Sequence, residues 1–241
     1  MVALITGSTS DIGKSIALTL AENGYDIILH YHNDEVGVLN LASDIRNKYK
    51  RTVRMYKADL TKEEEINSLV EGIKKDYFSL DVLVNNAALT NDNDLMLKEK
   101  KEFLEVLDVN LVAPFLLAKG LSSLLKDANG TIINISSNNA LSEYYPESVD
   151  YDASKKALIS LTNNLALYLA PEVRVNCVCP GWVNTKINKT LTSEFKKQEE
   201  SKIFLRRFAE PIEVANVVAF LASQKASYIN NTIIKVDGGV K

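Results

Sequence analysis

The chain has 241 residues, 46% of them hydrophobic, and a formal net charge of −3, so we expect one large α/β core and no basic surface for nucleic acids or anionic membranes. Two cysteines and two histidines offer neither a disulfide framework nor a metal site, which favours a reducing, cytoplasmic location. No apolar run reaches the length of about 18 residues that spans a bilayer.

Short apolar runs alternate along the chain with segments of helical periodicity. Strands that read as continuous apolar runs between helices indicate a parallel sheet covered on both faces. We therefore predict a single α/β domain over residues 1–241, with a doubly wound, parallel, seven-stranded sheet and helices on both faces. Its ligand should bind at the carboxyl ends of the strands, where the strand order reverses. The predicted strands are residues 2–5, 27–29, 53–56, 82–84, 131–135, 173–178 and 232–236.

Local patterns within these elements make three further predictions. Thr61 and Glu64 have the spacing of a capping box, so a helix should start there. Pro211 suits the first turn of a later helix, where its missing N–H has no partner to lose. Cys177 and Cys179 alternate with a valine as in a strand, so both should be buried thiols on one side of the sheet.

A glycine-containing loop follows the first strand and reads TGSTSDIGKS from residue 6 to residue 15. Glycines permit a tight turn, and the start of the next helix presents free N–H groups to a phosphate. One interpretation is a Walker A loop, but Gly7 and Gly13 enclose five residues where that motif has four. The other is a dinucleotide loop of the form TGxxxGxG, in which Asp11 replaces the middle glycine. We expect Asp11 to be a capping residue turned to solvent.

The end of the second predicted strand bears on the choice of nicotinamide cofactor. An acidic residue there would accept hydrogen bonds from the adenosine ribose and repel a 2′-phosphate. Tyr31 occupies that place, His32 and Asn33 follow, and the first carboxylate is Asp34. The sequence therefore leans toward NADP(H), although no arginine or lysine is placed to pair with the phosphate.

A tyrosine and a lysine lie four residues apart in the segment YDASK. Of the ten tyrosines in the chain, only Tyr151 has a lysine, Lys155, at the fourth position after it. On a helix this spacing puts both side chains on one face. A nearby ammonium favours the phenolate, so such a phenol can exchange protons with an alcohol or a carbonyl. Two surface residues of an amphipathic helix would show the same spacing, and the neighbouring motifs must decide.

Asn110 lies in a predicted helix, four residues before Pro114. Pro114 has no N–H to donate to the carbonyl of Asn110, which is therefore left free. Two interpretations remain open: a kinked helix with a water at the bend, or a carbonyl that anchors a water in a proton path to Lys155.

A polar stretch of residues 186–202 follows the turn PGWVNT after the sixth strand. Long segments with one or two helical turns at the mouth of a site often act as lids. We predict a substrate lid at about residues 183–208, although the charged run of residues 194–202 also suits a solvated helix face.

Taken together, these motifs resemble the short-chain dehydrogenase/reductase family over residues 4–239. Five of them agree in order: TGSTSDIG, NNAA, the asparagine at 110, SS followed by YDASK, and PGWVNT. The chain departs from the family pattern at Asp11. Tyr151 also lies fourteen positions after Ser137, one more than in many relatives. Of two adjacent serines we choose Ser137, because Ser136 lies further away and on the other strand face.

The resemblance implies an NAD(P)(H)-dependent oxidoreductase with a Rossmann fold. Tyr151 would act as general acid or base, while Ser137 would donate a hydrogen bond to the substrate oxygen. Lys155 would lower the pKa of Tyr151 and hold the ribose, and Asn110 would keep a relay water. No metal is implied. The cofactor-binding residues that the family pattern implies are Gly7, Thr9, Ser10, Ile12, Tyr31, His32, Asn33, Asp59, Leu60, Asn86, Ala87, Tyr151, Lys155, Val183 and Thr185.

The substrate is less defined by the sequence. The stretches FLRRFAEPIEVANVVAFLAS and VDGG are similar to those of 3-oxoacyl carrier-protein reductases, which implies a small-molecule or acyl-thioester carbonyl substrate and a homotetramer. An acidic carrier protein needs basic residues near the mouth of the site. Lys186, Lys189, Arg206 and Arg207 could supply them. Three alternatives stay open: a sugar or alcohol dehydrogenase of the same family, a catalytically idle cofactor-binding sensor or scaffold, and a Walker-type phosphotransferase.

Overall fold

The computed structural model describes residues 1–240, apart from the side chains of residues 187 and 189, so the predicted basic group of Lys189 lies outside the described residues. The strands are β1 (Val2–Ile5), β2 (Asp26–Tyr31), β3 (Val53–Lys57), β4 (Val82–Asn85), β5 (Thr131–Ile135), β6 (Arg174–Pro180) and β7 (Ile233–Val236). They form one sheet in the order β3-β2-β1-β4-β5-β6-β7, and every neighbouring pair is parallel. The predicted seven-stranded, doubly wound fold is confirmed.

Helices cover both faces of the sheet. The helices are α1 (Asp11–Glu22), α2 (Glu35–Tyr49), α3 (Glu63–Asp76), α4 (Lys100–Leu107), α5 (Ala113–Asp127), α6 (Val149–Leu169), α7 (Ser193–Lys202) and α8 (Pro211–Ala222). Helices α1, α2 and α8 bury their apolar faces in one core cluster, whereas α3, α5 and α6 share the other. Because Ile5 packs into the first cluster and Leu4 into the second, both sides of the central strand need apolar residues.

The local predictions have mixed outcomes. The capping box at Thr61 is wrong: α3 begins at Glu63, and the Thr61 hydroxyl donates to Asp59 Oδ1 at 2.8 Å. A carboxylate two residues away is the nearer partner, and it holds Thr61 in a turn before the helix. Pro211 is the first residue of α8, as predicted. Both cysteines are free, fully buried thiols on one side of β6, with their sulfur atoms 3.9 Å apart.

A five-residue π turn, Asp108–Val112, joins α4 to α5. The Ala113 N–H donates to the carbonyl of Asp108, five residues back, and Pro114 follows without an N–H of its own. The ladder of hydrogen bonds is therefore altered at the place where the sequence predicts an interruption. The turn carries the fully buried Asn110.

No helix within residues 1–240 is both long and apolar enough to cross a membrane.

Candidate active site

Three side chains, from the end of β5 and from α6, meet at the carboxyl edge of the sheet, where Lys155 is buried and Tyr151 is half-buried. The Ser137 hydroxyl, just after β5, lies close enough to the Tyr151 phenol, on the first turn of α6, to lower its pKa, and it donates a hydrogen bond to Asn139 Oδ1 at 3.3 Å. Lys155 lies one turn further along α6, with its Nζ 5.5 Å from the centroid of the Tyr151 ring. That ammonium is 2% exposed and donates to the carbonyl of Ile135 at 2.8 Å. The structure thus brings the predicted serine, tyrosine and lysine together.

The two adjacent serines point to different partners. Ser136 Oγ donates to the carbonyl of Lys155 at 2.8 Å, inside the protein, whereas Ser137 faces Tyr151. The loop that follows is held by Asn139, whose backbone N–H donates to Ser137 Oγ at 3.2 Å. The Asn139 side chain in turn donates to Asp152 Oδ1 at 2.7 Å. The extra residue in this loop therefore leaves Ser137 beside Tyr151.

The prediction of an unusually acidic Tyr151 is wrong for this structure, because burial is the largest influence on its pKa. Burial of the phenol raises the pKa of Tyr151 to about 12, although the nearby Ser137 hydroxyl acts in the opposite direction. Burial also lowers the pKa of Lys155 to about 8. The Lys155 ammonium is directed to the Ile135 carbonyl instead of the phenol oxygen, so desolvation dominates both groups.

The Asn110 side chain connects three parts of the site. Its Oδ1 accepts from the Leu89 N–H at 2.8 Å, and its Nδ2 donates to the Leu89 carbonyl at 2.9 Å. The same Nδ2 donates to Ser154 Oγ at 3.0 Å, one residue before Lys155. Asn110 therefore fixes the chain after β4 against α6. The role of its backbone carbonyl in a water path remains a prediction.

A buried ion pair lies immediately before Tyr151. Lys98 Nζ is 2.7 Å from Asp150 Oδ2, and the two side chains are 4% and 0% exposed. Asp150 Oδ1 also accepts from the Tyr151 N–H at 2.9 Å, while Lys98 donates to the carbonyl of Asn91. The pair holds the segment after β4 against the start of α6. No sequence pattern indicates this pair, because 52 positions separate the two residues and neither lies in a motif.

The glycine-containing loop is tightly packed against the end of β4. Thr6 Oγ1 accepts from the N–H groups of Asn86 and Ala87, both at 3.0 Å. The Asn86 amide donates to the carbonyls of Thr6 and Gly7 at 2.9 and 3.1 Å. Gly7 has a positive φ of 59°, and a Cβ at Gly13 would lie 2.3 Å from the Gly7 carbonyl oxygen. Both positions require glycine, so a side chain is kept away from the start of α1.

His30 supports this loop from beneath. Its Nδ1 accepts from the Gly7 N–H at 3.1 Å, and its Nε2 lies 3.0 Å from the Ala58 carbonyl. The neutral imidazole with its proton on Nε2 satisfies both contacts. Burial lowers the pKa of His30 to about 4. This role of His30 was not predicted, although a single polar residue inside an apolar strand is a sequence signal for it.

The other predicted cofactor residues follow the strand ends in turn. Tyr31 is half-buried at the end of β2, and His32 Nε2 lies 3.8 Å from Asp59 Oδ2. Val183 is buried and pairs with Ala209 in an isolated bridge. Of the remainder, Thr9, Ile12, Ala87 and Thr185 are half-buried, Ser10 and Asn33 are exposed, and Leu60 is buried in the core.

Asp11 does not have the predicted role. Ser10 caps α1, since its Oγ accepts from the Gly13 N–H at 3.1 Å. Asp11 is half-buried, and its Oδ2 accepts from the backbone N–H of Lys186 at 2.5 Å. The expectation of a solvent-facing cap is therefore wrong, because the chain after β6 returns to the start of α1 and covers the carboxylate.

Residues 183–208 are packed against the site through an aromatic cluster. The Trp182 ring stacks on Phe208 with centroids 5.4 Å apart, and it meets the edge of Tyr145 at 6.0 Å. Glu199 of α7 is 1% exposed and accepts from Tyr145 Oη at 3.1 Å and from Trp182 Nε1 at 3.3 Å. Lys202 Nζ lies 2.6 Å from the same carboxylate and balances its charge.

Charged groups near this segment are partly paired. Arg207 forms a bidentate ion pair with Glu213 at 2.6 and 2.7 Å, so its charge is balanced within the chain. Arg206 and Lys186 are exposed. Within the described part of the chain, no group of three or more His, Cys, Asp or Glu side chains could hold a metal ion.

The chain is similar in sequence and in structure to several known proteins. A family model described as Enoyl-(Acyl carrier protein) reductase matches residues 7–241. The 3-oxoacyl-(acyl-carrier-protein) reductase of Aquifex aeolicus is 39% identical, covering 99% of this chain and 96% of that protein. The crystal structure of acetoin dehydrogenase YohF from Salmonella typhimurium superposes with a TM-score of 0.89 at 32% identity, covering 99% and 95% of the two chains. A Beutenbergia cavernae protein, described as an NAD(P)-dependent gluconate 5-dehydrogenase with NADP at low occupancy, gives 0.92 at 30% identity over 99% and 95%.

Proposed function

The chain belongs to the short-chain dehydrogenase/reductase family, and from that membership we propose that it reduces a carbonyl compound to the hydroxy compound and prefers NADPH to NADH. Such a chain is an NAD(P)-dependent oxidoreductase that acts on a hydroxyl or carbonyl group. The observation that carries the proposal is the contact of Ser137 with Tyr151 above the buried ammonium of Lys155. Family membership also removes the reason to expect a phosphotransferase.

The three side chains suit carbonyl reduction at neutral pH. Tyr151 has a pKa of about 12, so it is protonated and can donate its proton to the carbonyl oxygen. Ser137 would donate a hydrogen bond to the same oxygen as negative charge develops on it. Lys155 has a pKa of about 8, so its ammonium is charged at pH 7 and stabilises the phenolate that remains. A bound nicotinamide supplies the hydride. The water path from the Asn110 carbonyl to Lys155 is part of the same proposal.

The dinucleotide would lie along the carboxyl edge, on the residues that the family pattern implies. The close approach at Gly7 and Gly13 supports this, since it leaves backbone N–H groups at the start of α1 open to a diphosphate. Tyr31 supports NADPH, because the end of β2 then lacks the carboxylate that would repel a 2′-phosphate. The NADP in the Beutenbergia cavernae structure agrees with that choice.

A 3-oxoacyl thioester is the first substrate class that we propose, because the Aquifex aeolicus relative is named for that reaction. A sugar or small alcohol is the second, and one observation favours it. Asn138, next to Ser137, is fully buried, and neither its amide nitrogen nor its amide oxygen has a hydrogen-bond partner. The Glu143 carboxylate lies close enough to the Asn138 amide to feel its effect, but no hydrogen bond of good geometry forms. A hydroxyl of a polar substrate would satisfy this amide once the loop around Asn138 moves to expose it.

Assembly, lid and location complete the proposal. A homotetramer is supported by exposed apolar side chains on α4, α5 and α6, including Leu104, Phe115 and Leu167. A lid at residues 183–208 is supported by the contacts of Glu199 with Tyr145 and Trp182. The free thiols of β6 support a reducing, cytoplasmic compartment.

The test is turnover by the purified chain with NADPH or NADH and one of three carbonyl probes: acetoacetyl thioester, a small diketone and a keto sugar. Replacing Tyr151→Phe removes the proton donor and should lower the rate by about 10²- to 10⁴-fold. Cofactor affinity, measured by fluorescence titration, should stay close to that of the parent chain. Tyr168→Phe is the matched control, since this exposed tyrosine lies on the same helix.

The same experiment separates an enzyme from a sensor. A chain that binds the cofactor but turns over none of the carbonyl probes would contradict the proposal and support the idle, cofactor-binding alternative. Equal rates for Tyr151→Phe and Tyr168→Phe would also contradict it, because the phenol would then take no part in the reaction.

A further inference from the structure

One hydrogen bond joins the glycine-containing loop, at the start of α1, to the proposed lid. The two residues are 175 positions apart in the sequence. Asp11 Oδ2 accepts from the backbone N–H of Lys186 at 2.5 Å. The donor is a main-chain group, so the contact fixes the path of the chain itself. Thr185, one of the proposed cofactor-binding residues, is the residue directly before it. The bond therefore acts where the proposed lid leaves the cofactor site.

The Asp11 carboxylate does not cap the helix that it begins. Ser10 already caps α1 through the Gly13 N–H. Within the described residues, Asp11 forms no salt bridge, and Lys14, one turn further along α1, is exposed. A capping role and an ion pair on the helix surface are both excluded as reasons for a carboxylate at this position.

The Asp11 carboxylate lies where its negative charge would repel the diphosphate of a bound dinucleotide. It lies in the first turn of α1, at the positive end of the helix, where the diphosphate of the cofactor is expected to bind. A negative charge there competes with the diphosphate for the helix start. The residue should therefore weaken diphosphate binding while it holds the chain at Lys186 in place.

We propose that Asp11 is a positioning residue, whose carboxylate fastens the hinge of the lid at Thr185 and Lys186 to the start of α1. The inference rests on the proposed cofactor site and lid. It gives a function to the one position where the loop departs from the glycine of the family pattern. If Asp11 has this role, its loss affects kcat and cofactor binding differently. It lowers kcat, because the lid is released, but does not weaken cofactor binding.

The direct test is hydrogen exchange of the full chain, measured by mass spectrometry on peptides that cover residues 183–190. In Asp11→Ala the Lys186 amide loses a charge-assisted acceptor, so its exchange should accelerate about tenfold or more. Asp11→Asn keeps an acceptor oxygen and should exchange within about threefold of the parent chain. Glu63→Ala is the matched control, because it removes a first-turn carboxylate from α3 without a contact to residues 183–208.

Kinetics provide the second measurement. In Asp11→Ala, kcat should fall about tenfold, while the Kd for NADPH stays equal or decreases; Asp11→Asn should recover most of kcat. If the alanine variant does not fold, Asp11→Gly, with the residue of the family pattern, takes its place. Unchanged exchange at residues 183–190 in folded Asp11→Ala, or in Asp11→Gly where that variant takes its place, would overturn the proposal. Faster exchange in a chain that reduces no carbonyl would keep the fastening and refute only the proposed reaction.

Discussion

At the scale of single residues, Tyr151 and Lys155 respond in opposite directions to the same environment. Burial disfavours the charged form of each group, so the pKa of the phenol rises to about 12 and that of the ammonium falls to about 8. Between these values Tyr151 keeps its proton while Lys155 loses its own. The range just above neutral pH therefore changes the charge of the lysine and leaves the proposed proton donor, Tyr151, protonated.

We expect kcat/KM for carbonyl reduction to fall as the pH rises through about 8. Above that value the neutral Lys155 amine no longer stabilises the phenolate that Tyr151 leaves after proton transfer. The measurement is a profile of kcat/KM between about pH 6 and pH 10, which reports groups of the free enzyme. Lys156→Met, an exposed neighbour on the same helix, should keep the decline. A decline that persists in Lys155→Met would assign it to another group.

These two residues show what a sequence reveals about a site. The four-residue spacing of Tyr151 and Lys155 is local on one helix, so it predicts correctly that they lie together. Their pKa values depend on burial by distant parts of the chain, and the predicted direction for Tyr151 was wrong. The prediction for Asp11 was wrong for the same reason, because its hydrogen-bond partner, the Lys186 N–H, follows the sixth strand and is distant in sequence.

At the scale of elements, the start of α6 is held by the segment that follows β4. The buried pair of Lys98 and Asp150 joins them side chain to side chain, and the Asn93 N–H donates to the Glu147 carbonyl at 3.2 Å. Asp150 also accepts from the N–H of Tyr151. The first turn of α6, which carries the proposed proton donor, thus depends on a contact far from it in sequence.

Breaking this ion pair should cost much more than breaking a surface pair. Lys98→Met leaves the Asp150 carboxylate buried without its partner, so the free energy of unfolding should fall by about 3–5 kcal/mol. The double variant Lys98→Met with Asp150→Asn removes both charges and should recover part of that loss. Urea denaturation provides the values.

Lys101→Met is the control for that cycle, since Lys101 forms an exposed pair with Glu105 and should change stability by less than about 1 kcal/mol. Additive costs of the two single substitutions in the double variant would contradict a coupled pair.

Element positions were more predictable than the contacts between elements. Each predicted strand agrees with an observed one within two residues at either end, as the apolar runs of β1 and β5 illustrate. The start of α3 was misplaced because Asp59, which no capping pattern includes, binds the Thr61 hydroxyl. The Lys98 to Asp150 contact had no local signal at all.

At the scale of the whole molecule, the described surface exposes several large apolar side chains that are not covered by the rest of the chain. Leu167 and Tyr168, near the end of α6, are 82% and 79% exposed, and Phe115 on α5 is 43% exposed. Exposed apolar groups on neighbouring helices are typical of surfaces that meet another protein. Sequence periodicity could not assign them, because a helix face that contacts a partner chain has the same pattern as one that contacts the core.

We expect size-exclusion chromatography with light scattering to give a mass of about four chains for the parent protein. Leu167→Asp places a charge on the α6 surface and should lower that mass to one or two chains, without loss of helix content by circular dichroism. Phe78→Asp is the matched control: Phe78 is 93% exposed in the connection after α3 and should leave the mass unchanged. A parent protein that elutes as a single chain would contradict the proposed tetramer.

The two thiols of β6 have a practical consequence. Cys177 and Cys179 are the whole cysteine content of the chain, and both are shielded from solvent on every side. An alkylating reagent can reach them only when the strand that leads to the PGWVNT turn is uncovered. The rate of alkylation therefore measures how often this part of the sheet opens. The two cysteines of the natural sequence already serve as the labelling sites for that measurement.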